Sequence, residues 1–226
     1  MVKGLPEASA KRIVAARSTR AFTDVDDLAR RAELNRHDME ALAAAAALGQ
    51  LSGHRRNALW DVSGVERMPP LLASATVDES QPSLIAPTEG EDIVADFASL
   101  GLTLGRHPLA LLRGRLQSQR MMTAADLRDM PHGRLARVTG LVTGRQRPGT
   151  ASGVTFVTLE DETGMINVIV WRDLAERQRK ELLRSNLLTV YGTLERAGEV
   201  VHLIAGRLRD QSALLGKLTT RSRDFH

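Results

Sequence analysis

The chain offers few residue groups whose types and spacing suit bond-making chemistry. The acidic run Glu160–Glu162 is the clearest candidate for a metal site, but it precedes Thr163-Gly164 at an expected strand turn and has no second carboxylate or histidine group at ligand spacing. The six histidines are dispersed, and we find no Walker loop, nucleophile elbow or His-Glu metal motif. We therefore expect neither a catalytic residue nor a metal site within these 226 residues.

Composition narrows the class of protein further. No cysteine is present, which excludes disulfides, thiolate zinc sites and a cysteine nucleophile. The longest apolar run, Ala41–Leu48, is far shorter than the roughly 20 residues that span a membrane, and the first residues do not form a signal peptide. These observations predict a cytoplasmic protein with no membrane segment.

Charge is distributed unevenly, although the formal net charge is only +4. Residues 61–105 carry 1 basic and 8 acidic side chains, whereas residues 134–226 carry 15 basic and 10 acidic ones. Basic ends around an acidic middle are typical of a protein that binds nucleic acid.

The first candidate DNA contact is the segment Val2–Val14. It resembles a helix-hairpin-helix, in which a glycine-containing turn aims backbone N–H groups at a phosphate, and Gly4, Leu5 and Lys11 are the predicted contacts. Pro6 stands where many such hairpins have glycine and removes one donor. A plain turn between packed helices is the alternative interpretation, and for the glycine-free second turn, residues 33–36, we favour that alternative.

The second candidate is the basic, glycine-rich segment 144–153, which is expected to join two strands. Arg145 and Arg147 are its predicted DNA contacts, because such a loop can follow a phosphate backbone. An ordinary solvated loop remains the alternative. Rings for stacking on bases are few, and Phe156, Trp171 and Tyr191 are each expected to lie in the core.

The spacing of apolar residues assigns these motifs to predicted helices, strands and linkers. Residues 1–60 have helical spacing and form a predicted helix-hairpin-helix domain, with Asp24 and Asn35 as N-caps. Residues 61–90 contain four prolines and are expected to form an extended linker, and residues 91–133 a short helical segment.

Residues 134–210 change to the alternation of strands. Strands are predicted at 135–142, 154–159, 165–171, 187–194 and 200–208, with a helix before the fourth. That order is typical of an OB-fold, a five-stranded barrel that binds oligonucleotides. We therefore predict an α+β protein with N-terminal hairpin helices, a proline-rich linker, a C-terminal OB-fold barrel and a tail, 211–226.

Several segments together resemble one family. The motifs around Gly4-Leu5-Pro6 and Phe22–Leu28 resemble the helix-hairpin-helix region of bacterial DnaE polymerases, and Asp96–Leu102 with His107-Pro108-Leu109 resembles the segment before their OB domain. Phe156–Gly164, Val168–Trp171 and Ser222–His226 are similar to the error-prone branch, often called ImuC. The resemblance covers essentially the whole chain.

This resemblance implies DNA synthesis across damage, in a complex with an inactive Y-family-like protein of the ImuB type and an accessory ImuA-type protein. The catalytic carboxylates of such a polymerase, and its Mg²⁺, would lie in a palm domain upstream. We therefore expect this chain to be the C-terminal part of a longer polypeptide, without a cofactor of its own, inactive alone, and able to bind single-stranded or template-primer DNA.

The resemblance also points to a sliding-clamp peptide between the hairpin helices and the OB domain. The matching residues are Gln81, Leu84 and Ile85, with Ile85 where an aromatic anchor would stand. Binding energy concentrates in such anchors, so weak or no direct clamp binding is expected. Two alternatives stay open: a pure interaction module that docks an ImuB-type protein, and a tRNA-binding OB domain, against which the DnaE-like hairpin segment argues.

Overall fold

The computed structural model describes residues 2–64, 84–149, 153–198, 200–218 and 223–225. The chain divides into two compact units, Met1–Thr103 and Leu104–His226, which we call the helical unit and the barrel unit. Gln81 lies outside the described residues.

The helical unit contains short helices in its described part. Their bounds are α1 (Glu7–Thr19), α2 (Val25–Arg31), α3 (Arg36–Ala44), α4 (Gly49–Ser52), α5 (Arg55–Gly64) and α6 (Glu89–Ser99). The predicted N-caps are confirmed, because the Asp24 side chain accepts a hydrogen bond from the N–H of Asp27, and that of Asn35 from the N–H of Asp38. Both caps start helices whose apolar faces meet in one core, formed by Val25, Leu28, Ala32, Met39, Leu42, Ala43, Leu48, Ala58 and Val62.

The turn between α2 and α3 contains no glycine. Glu33 adopts a φ of 50°, the left-handed conformation that glycine usually supplies in such turns. Arg12 stabilises this turn by donating hydrogen bonds to the carbonyls of Ala32 and Glu33. An arginine from α1 therefore offsets part of the cost of the missing glycine.

The barrel unit begins with two helices and continues with strands. Its elements are α7 (Pro108–Ser118), α8 (Ala124–Arg128), β1 (Leu135–Gln146), β2 (Thr155–Asp161), β3 (Gly164–Val170), α9 (Arg172–Arg177), α10 (Arg179–Arg184), β4 (Leu187–Ala197), β5 (Val200–Asp210), a 3-10 turn (Ser212–Leu215) and β6 (Arg223–Phe225). The predicted α+β fold is confirmed: the first five strands form a closed barrel in the order β1-β2-β3-β5-β4, and β4 pairs with β1 again.

One long strand closes this barrel. The first half of β1, Leu135–Leu141, pairs with β4, and its second half, Leu141–Gln146, pairs with β2. On the edge that faces away from β2, residues Gly144–Gln146 pair in parallel with β6. Apolar side chains of all five barrel strands fill the interior, among them Val138, Val142, Val157, Leu159, Val168, Leu188, Val190, Leu194 and Leu203.

A close backbone approach on β4 requires glycine. The ladder between β4 and β5 shifts register between Tyr191 and Gly192, and a Cβ atom on Gly192 would lie 2.2 Å from the carbonyl oxygen of Ile204. Any side chain at this position would force the strands apart, so Gly192 fixes the bulge beside Tyr191.

Within the described residues, no helix is long and apolar enough to cross a membrane.

Candidate nucleic-acid interface

Phe156 lies on the outside of the barrel. Along β2 the buried positions are Thr155, Val157 and Leu159, so Phe156 points outward and is 37% exposed. The expectation that Phe156 belongs to the core was wrong. That expectation rested on the alternation of Phe156 with Val154. Val154 precedes β2 and is buried, but it does not follow the inward and outward alternation of that strand.

Phe156 belongs to a row of outward residues that crosses all five barrel strands. Its cross-strand partners are Gln146 on β1 and Ile169 on β3. Ile169 pairs in turn with Ile204 on β5, and the row continues through Thr193 on β4 to Leu135, which is 80% exposed. We call this set, Gln146, Phe156, Ile169, Ile204, Thr193 and Leu135, the apolar row.

Trp171 and Tyr191 also differ from the expected core positions. Trp171 follows β3 directly and is exposed. Tyr191 is half-buried, and the guanidinium carbon of Arg207 lies 5.6 Å from the centroid of its ring. Three of the chain's few rings are therefore accessible on the barrel unit, which composition alone could not show.

The two predicted loop cations occupy different environments. Arg145 is only 6% exposed and donates hydrogen bonds to the carbonyls of Leu182 and Ser185 at the end of α10. This position contradicts a direct phosphate contact by Arg145, because its donors are used inside the protein. Arg147 is exposed, as the prediction requires.

Arg147 lines a cavity of about 150 Å³ between the end of β1 and the helices α9 and α10. Arg172 and Arg179 line the same cavity, and the apolar part of its wall includes Ala175 and Leu182. One carboxylate is present: Glu176 accepts a hydrogen bond from Arg172 at 2.8 Å, and this bond lowers the pKa of Glu176. The cavity keeps a net positive charge. It adjoins the apolar row, because Gln146 belongs to both.

The predicted hairpin contacts lie at the start of the helical unit. Gly4 is exposed with a φ of 83°, and Leu5 is half-buried against the helical core. Lys11 is exposed and forms an ion pair with Glu7 at 2.8 Å. The start of α1 thus carries one exposed acidic and one exposed basic side chain, which pair with each other.

The nearby Lys3 serves the fold. Its ammonium group donates hydrogen bonds to the carbonyls of Phe97 and Ala98, at 3.2 and 3.1 Å, where α6 ends. A cation at a helix C-terminus satisfies carbonyls that have no intrahelical partner.

The acidic run holds the barrel to the helices before it. Asp161 is buried and accepts hydrogen bonds from the backbone N–H groups of Ala124 and Thr163, both at 2.7 Å. Glu162 accepts hydrogen bonds from Arg113 of α7. In the described parts of the chain, no group of three acidic or histidine side chains is placed to hold a metal ion.

Of the clamp-like peptide, Leu84 and Ile85 are described. The carbonyl of Leu84 lies 3.1 Å from Nε2 of His54, and the carbonyl of Ile85 accepts a hydrogen bond from Arg56. The Ile85 side chain is 83% exposed. The backbone of this segment is therefore anchored within the helical unit while Ile85 faces solvent.

Comparisons with known proteins agree with this architecture. Residues 1–58 match a family described as a helix-hairpin-helix motif, and residues 136–210 match one described as an OB-fold nucleic acid binding domain. The whole chain is 57% identical to an error-prone DNA polymerase of Alkalilimnicola ehrlichii, 56% to one of an Azoarcus species and 54% to one of Pseudomonas aeruginosa.

The aligned segment covers 100% of this chain but only 21–22% of each of those polymerases. The chain therefore spans about a fifth of the length of the curated relatives that it matches. Over its full length it matches the C-terminal region of error-prone DNA polymerases, with a helix-hairpin-helix motif followed by an OB-fold nucleic acid binding domain.

Proposed function

We propose that this chain is the DNA-binding and partner-docking region of an error-prone polymerase that acts in translesion synthesis, and that its barrel binds single-stranded DNA on the apolar row. The observation that carries the proposal is the exposed ring of Phe156, which lies in a row of outward, mostly apolar residues beside an arginine-lined cavity. Proteins that bind single strands without sequence preference combine stacking rings with a basic groove.

Each part of this surface has a distinct role in the proposal. Phe156 supplies the face on which a base stacks, and Ile169 and Ile204 extend the apolar contact across the sheet. Arg147 and Arg179 attract the phosphates that follow, because both line one cavity, while Arg172 on the same wall is paired with Glu176. Arg145 contributes indirectly by tying the end of β1 to the carbonyls at the end of α10.

The helical unit would add a backbone contact. In this proposal the N–H groups in the first turn of α1, which follows the turn at Gly4 and Leu5, face a phosphate, and Lys11 supplies charge. Pro6 lacks an N–H group and Glu7 is acidic, so we expect this contact to be weaker than that of the barrel.

Recruitment is the other half of the proposal. We propose that an ImuB-type partner brings the polymerase to the sliding clamp, because Ile85 offers an aliphatic side chain where an aromatic anchor would fill the clamp pocket. Changing Ile85 to Phe should create clamp binding that is measurable by surface plasmon resonance. Tight binding by the unchanged chain that Leu84→Ala abolishes would contradict recruitment through the partner.

The test of the DNA proposal is Phe156→Ala, with Trp60→Ala as the matched control, since Trp60 is an exposed ring on α5. Loss of one stacking ring costs about 1–3 kcal/mol, so the affinity for oligothymidylate should fall by roughly 5- to 150-fold. Fluorescence anisotropy measures the affinity, and circular dichroism verifies that both variants are folded. Equal affinities of the Phe156 and Trp60 variants would reject the apolar row as the binding surface.

A further inference from the structure

Two exposed arginines flank a ring on another part of the barrel. Tyr191 of β4 pairs with Arg137 of β1 on one side and with Arg207 of β5 on the other. The Arg207 guanidinium carbon lies 5.6 Å from the centroid of the tyrosine ring. We call this set the arginine–tyrosine row.

The charges of this row are not compensated. In the parts of the chain that the structure describes, neither Arg137 nor Arg207 forms an ion pair with a carboxylate, and Arg209, two residues further along β5, is likewise exposed and unpaired. Other exposed arginines differ: Arg36 pairs with Glu40 at 2.8 Å, and Arg172 with Glu176 at 2.8 Å. Cations without a carboxylate partner retain their full attraction for an anionic ligand.

The backbone fixes this row in place. The register shift between β4 and β5, which the absence of a side chain at Gly192 permits, follows Tyr191 directly. Two residues from Arg137 and Tyr191, the buried hydroxyls of Thr139 and Thr189 form a 2.7 Å hydrogen bond between β1 and β4. The ring therefore lies on a rigid sheet, which limits the entropy that binding would cost.

The arginine–tyrosine row adjoins the apolar row without overlapping it. Arg137 is two residues from Leu135, and Tyr191 is two residues from Thr193, so each pair lies on the same side of its strand. Strands β2 and β3, which carry Phe156 and Ile169, contribute nothing to the second row. A nucleic acid strand that crosses the apolar row and leaves past Leu135 would meet Arg137 next.

We propose that the arginine–tyrosine row is a second contact site for single-stranded DNA, where Arg137 and Arg207 bind phosphates and Tyr191 presents a ring to a base or sugar between them. This inference rests on the proposed function and extends it, because it predicts a longer DNA footprint than the apolar row gives. Arginine that stacks on an aromatic ring and also binds phosphate is suited to this role.

The dependence of affinity on oligonucleotide length tests the proposal. OB-folds occupy about 4–16 nucleotides of a single strand, so we compare oligothymidylates of about 5 and about 15 nucleotides. Two double variants are matched in charge: Arg137→Ala with Arg207→Ala, and, as the control, Arg36→Ala with Arg56→Ala, which remove arginines that pair with Glu40 and Glu91.

For the long oligonucleotide, loss of two phosphate contacts should flatten the slope of log affinity against log salt by about 1.4, at about 0.7 per contact with single strands. The short oligonucleotide should bind the Arg137/Arg207 variant and the control with equal slopes. Tyr191→Phe should retain long-oligonucleotide binding because it keeps the ring, and Tyr191→Leu should weaken it.

The outcomes separate this inference from the proposed function. If Phe156→Ala weakens binding but the Arg137/Arg207 variant binds both lengths as the control does, the second site is refuted and the apolar row stands. If the Arg137/Arg207 variant loses affinity for both lengths equally, the row is part of the primary site, and the inference of a second site is wrong. Binding of a glutamate-rich peptide with no loss of long-oligonucleotide affinity would assign the row to an acidic protein partner and also overturn it.

Discussion

The two units of this chain differ in how many of their arginines remain available to a ligand. In the helical unit, three arginines serve the fold: Arg12 donates to carbonyls in the turn between α2 and α3, Arg31 to Asp27 and the carbonyl of Ala16, and Arg55 to Asp92 and Asp96. In the described part of the barrel unit, several exposed arginines have no carboxylate or carbonyl partner, among them Arg137, Arg147, Arg179 and Arg207. A count of cations along the chain therefore says little about where a polyanion binds.

The same contrast occurs within a single strand end. Arg145 and Arg147 are two residues apart, yet Arg145 is buried with carbonyl partners and Arg147 faces the arginine-lined cavity. The bonding partners of a cation distinguish a structural arginine from one available to a ligand, and these partners follow from the fold.

Breaking a structural arginine of the helical unit should have the largest effect. Arg55 is buried against Asp92 and Asp96, so Arg55→Ala removes a buried cation that hydrogen bonds to both carboxylates. Removal of one partner from a buried pair costs about 3–5 kcal/mol of unfolding free energy. Urea denaturation measures this loss, with Arg36→Ala as the exposed-pair control at about 1 kcal/mol or less. Equal stabilities of the two variants would contradict a structural role for Arg55.

Arg145→Ala should have the next largest effect, on stability of the barrel unit. Its guanidinium hydrogen bonds to the Leu182 and Ser185 carbonyls would be lost, and each bond with a charged donor contributes about 1.5–3 kcal/mol. Amide hydrogen exchange should show faster opening of α10 and the end of β1. Unchanged exchange together with reduced DNA affinity would restore Arg145 as a direct phosphate contact.

Arg147→Ala should show the reverse pattern. Its side chain has no hydrogen bond or ion pair with any residue that the structure describes, so the unfolding free energy should change by less than about 0.5 kcal/mol. The slope of log affinity for single-stranded DNA against log salt should flatten by about 0.7. An unchanged slope would remove Arg147 from the DNA-binding surface.

The smallest effect concerns the ion pair that anchors the barrel to α7. Burial raises the pKa of Glu162, but the hydrogen bonds and charge of Arg113 outweigh burial and hold that pKa below its ordinary value. A carboxyl with a lowered folded-state pKa adds stability above its unfolded pKa of about 4.3, and this stability is lost as pH falls through the folded pKa.

The urea midpoint of the unchanged chain should fall as the pH falls from about 5 to about 3. Glu162→Gln should make this fall smaller without reversing it. Glu195→Gln is the matched control, since Glu195 is exposed on β4. The effect is small because Glu162 is only partly buried and solvent screens the pair. Identical pH profiles for both variants would show that the Arg113 pair does not couple to folding.

The fold followed from local patterns in the sequence. Alternation with period 2 located the barrel strands, and Asp24 and Asn35 located two helix starts, because these signals depend on neighbouring residues only. The partners of Arg145 could not be predicted in this way. The sequence of segment 144–153 predicts a loop. In the structure, pairing with β2 and β6 extends β1 to Gln146, and Arg145 is buried as a result.

The exposure of Phe156 shows the same limit. A shift of one residue in the phase of a strand moves each side chain to the other face, and the phase of β2 is set by its register with β1 and β3. The closed barrel fixes the register of β2 with β1 and β3. The alternation between Val154 and Phe156 alone does not reveal that register.

The central claim is that single-stranded DNA binds the barrel on the apolar row and its flanking arginines. Titration of the isotope-labelled chain with oligothymidylate, followed by amide chemical shifts, tests this claim most directly. We predict the largest shifts at Phe156, Ile169, Ile204 and the backbone of Arg147, with Arg12, Arg31 and Arg55 unchanged. Shifts confined to the helical unit, with the apolar row unperturbed at saturation, would contradict the account.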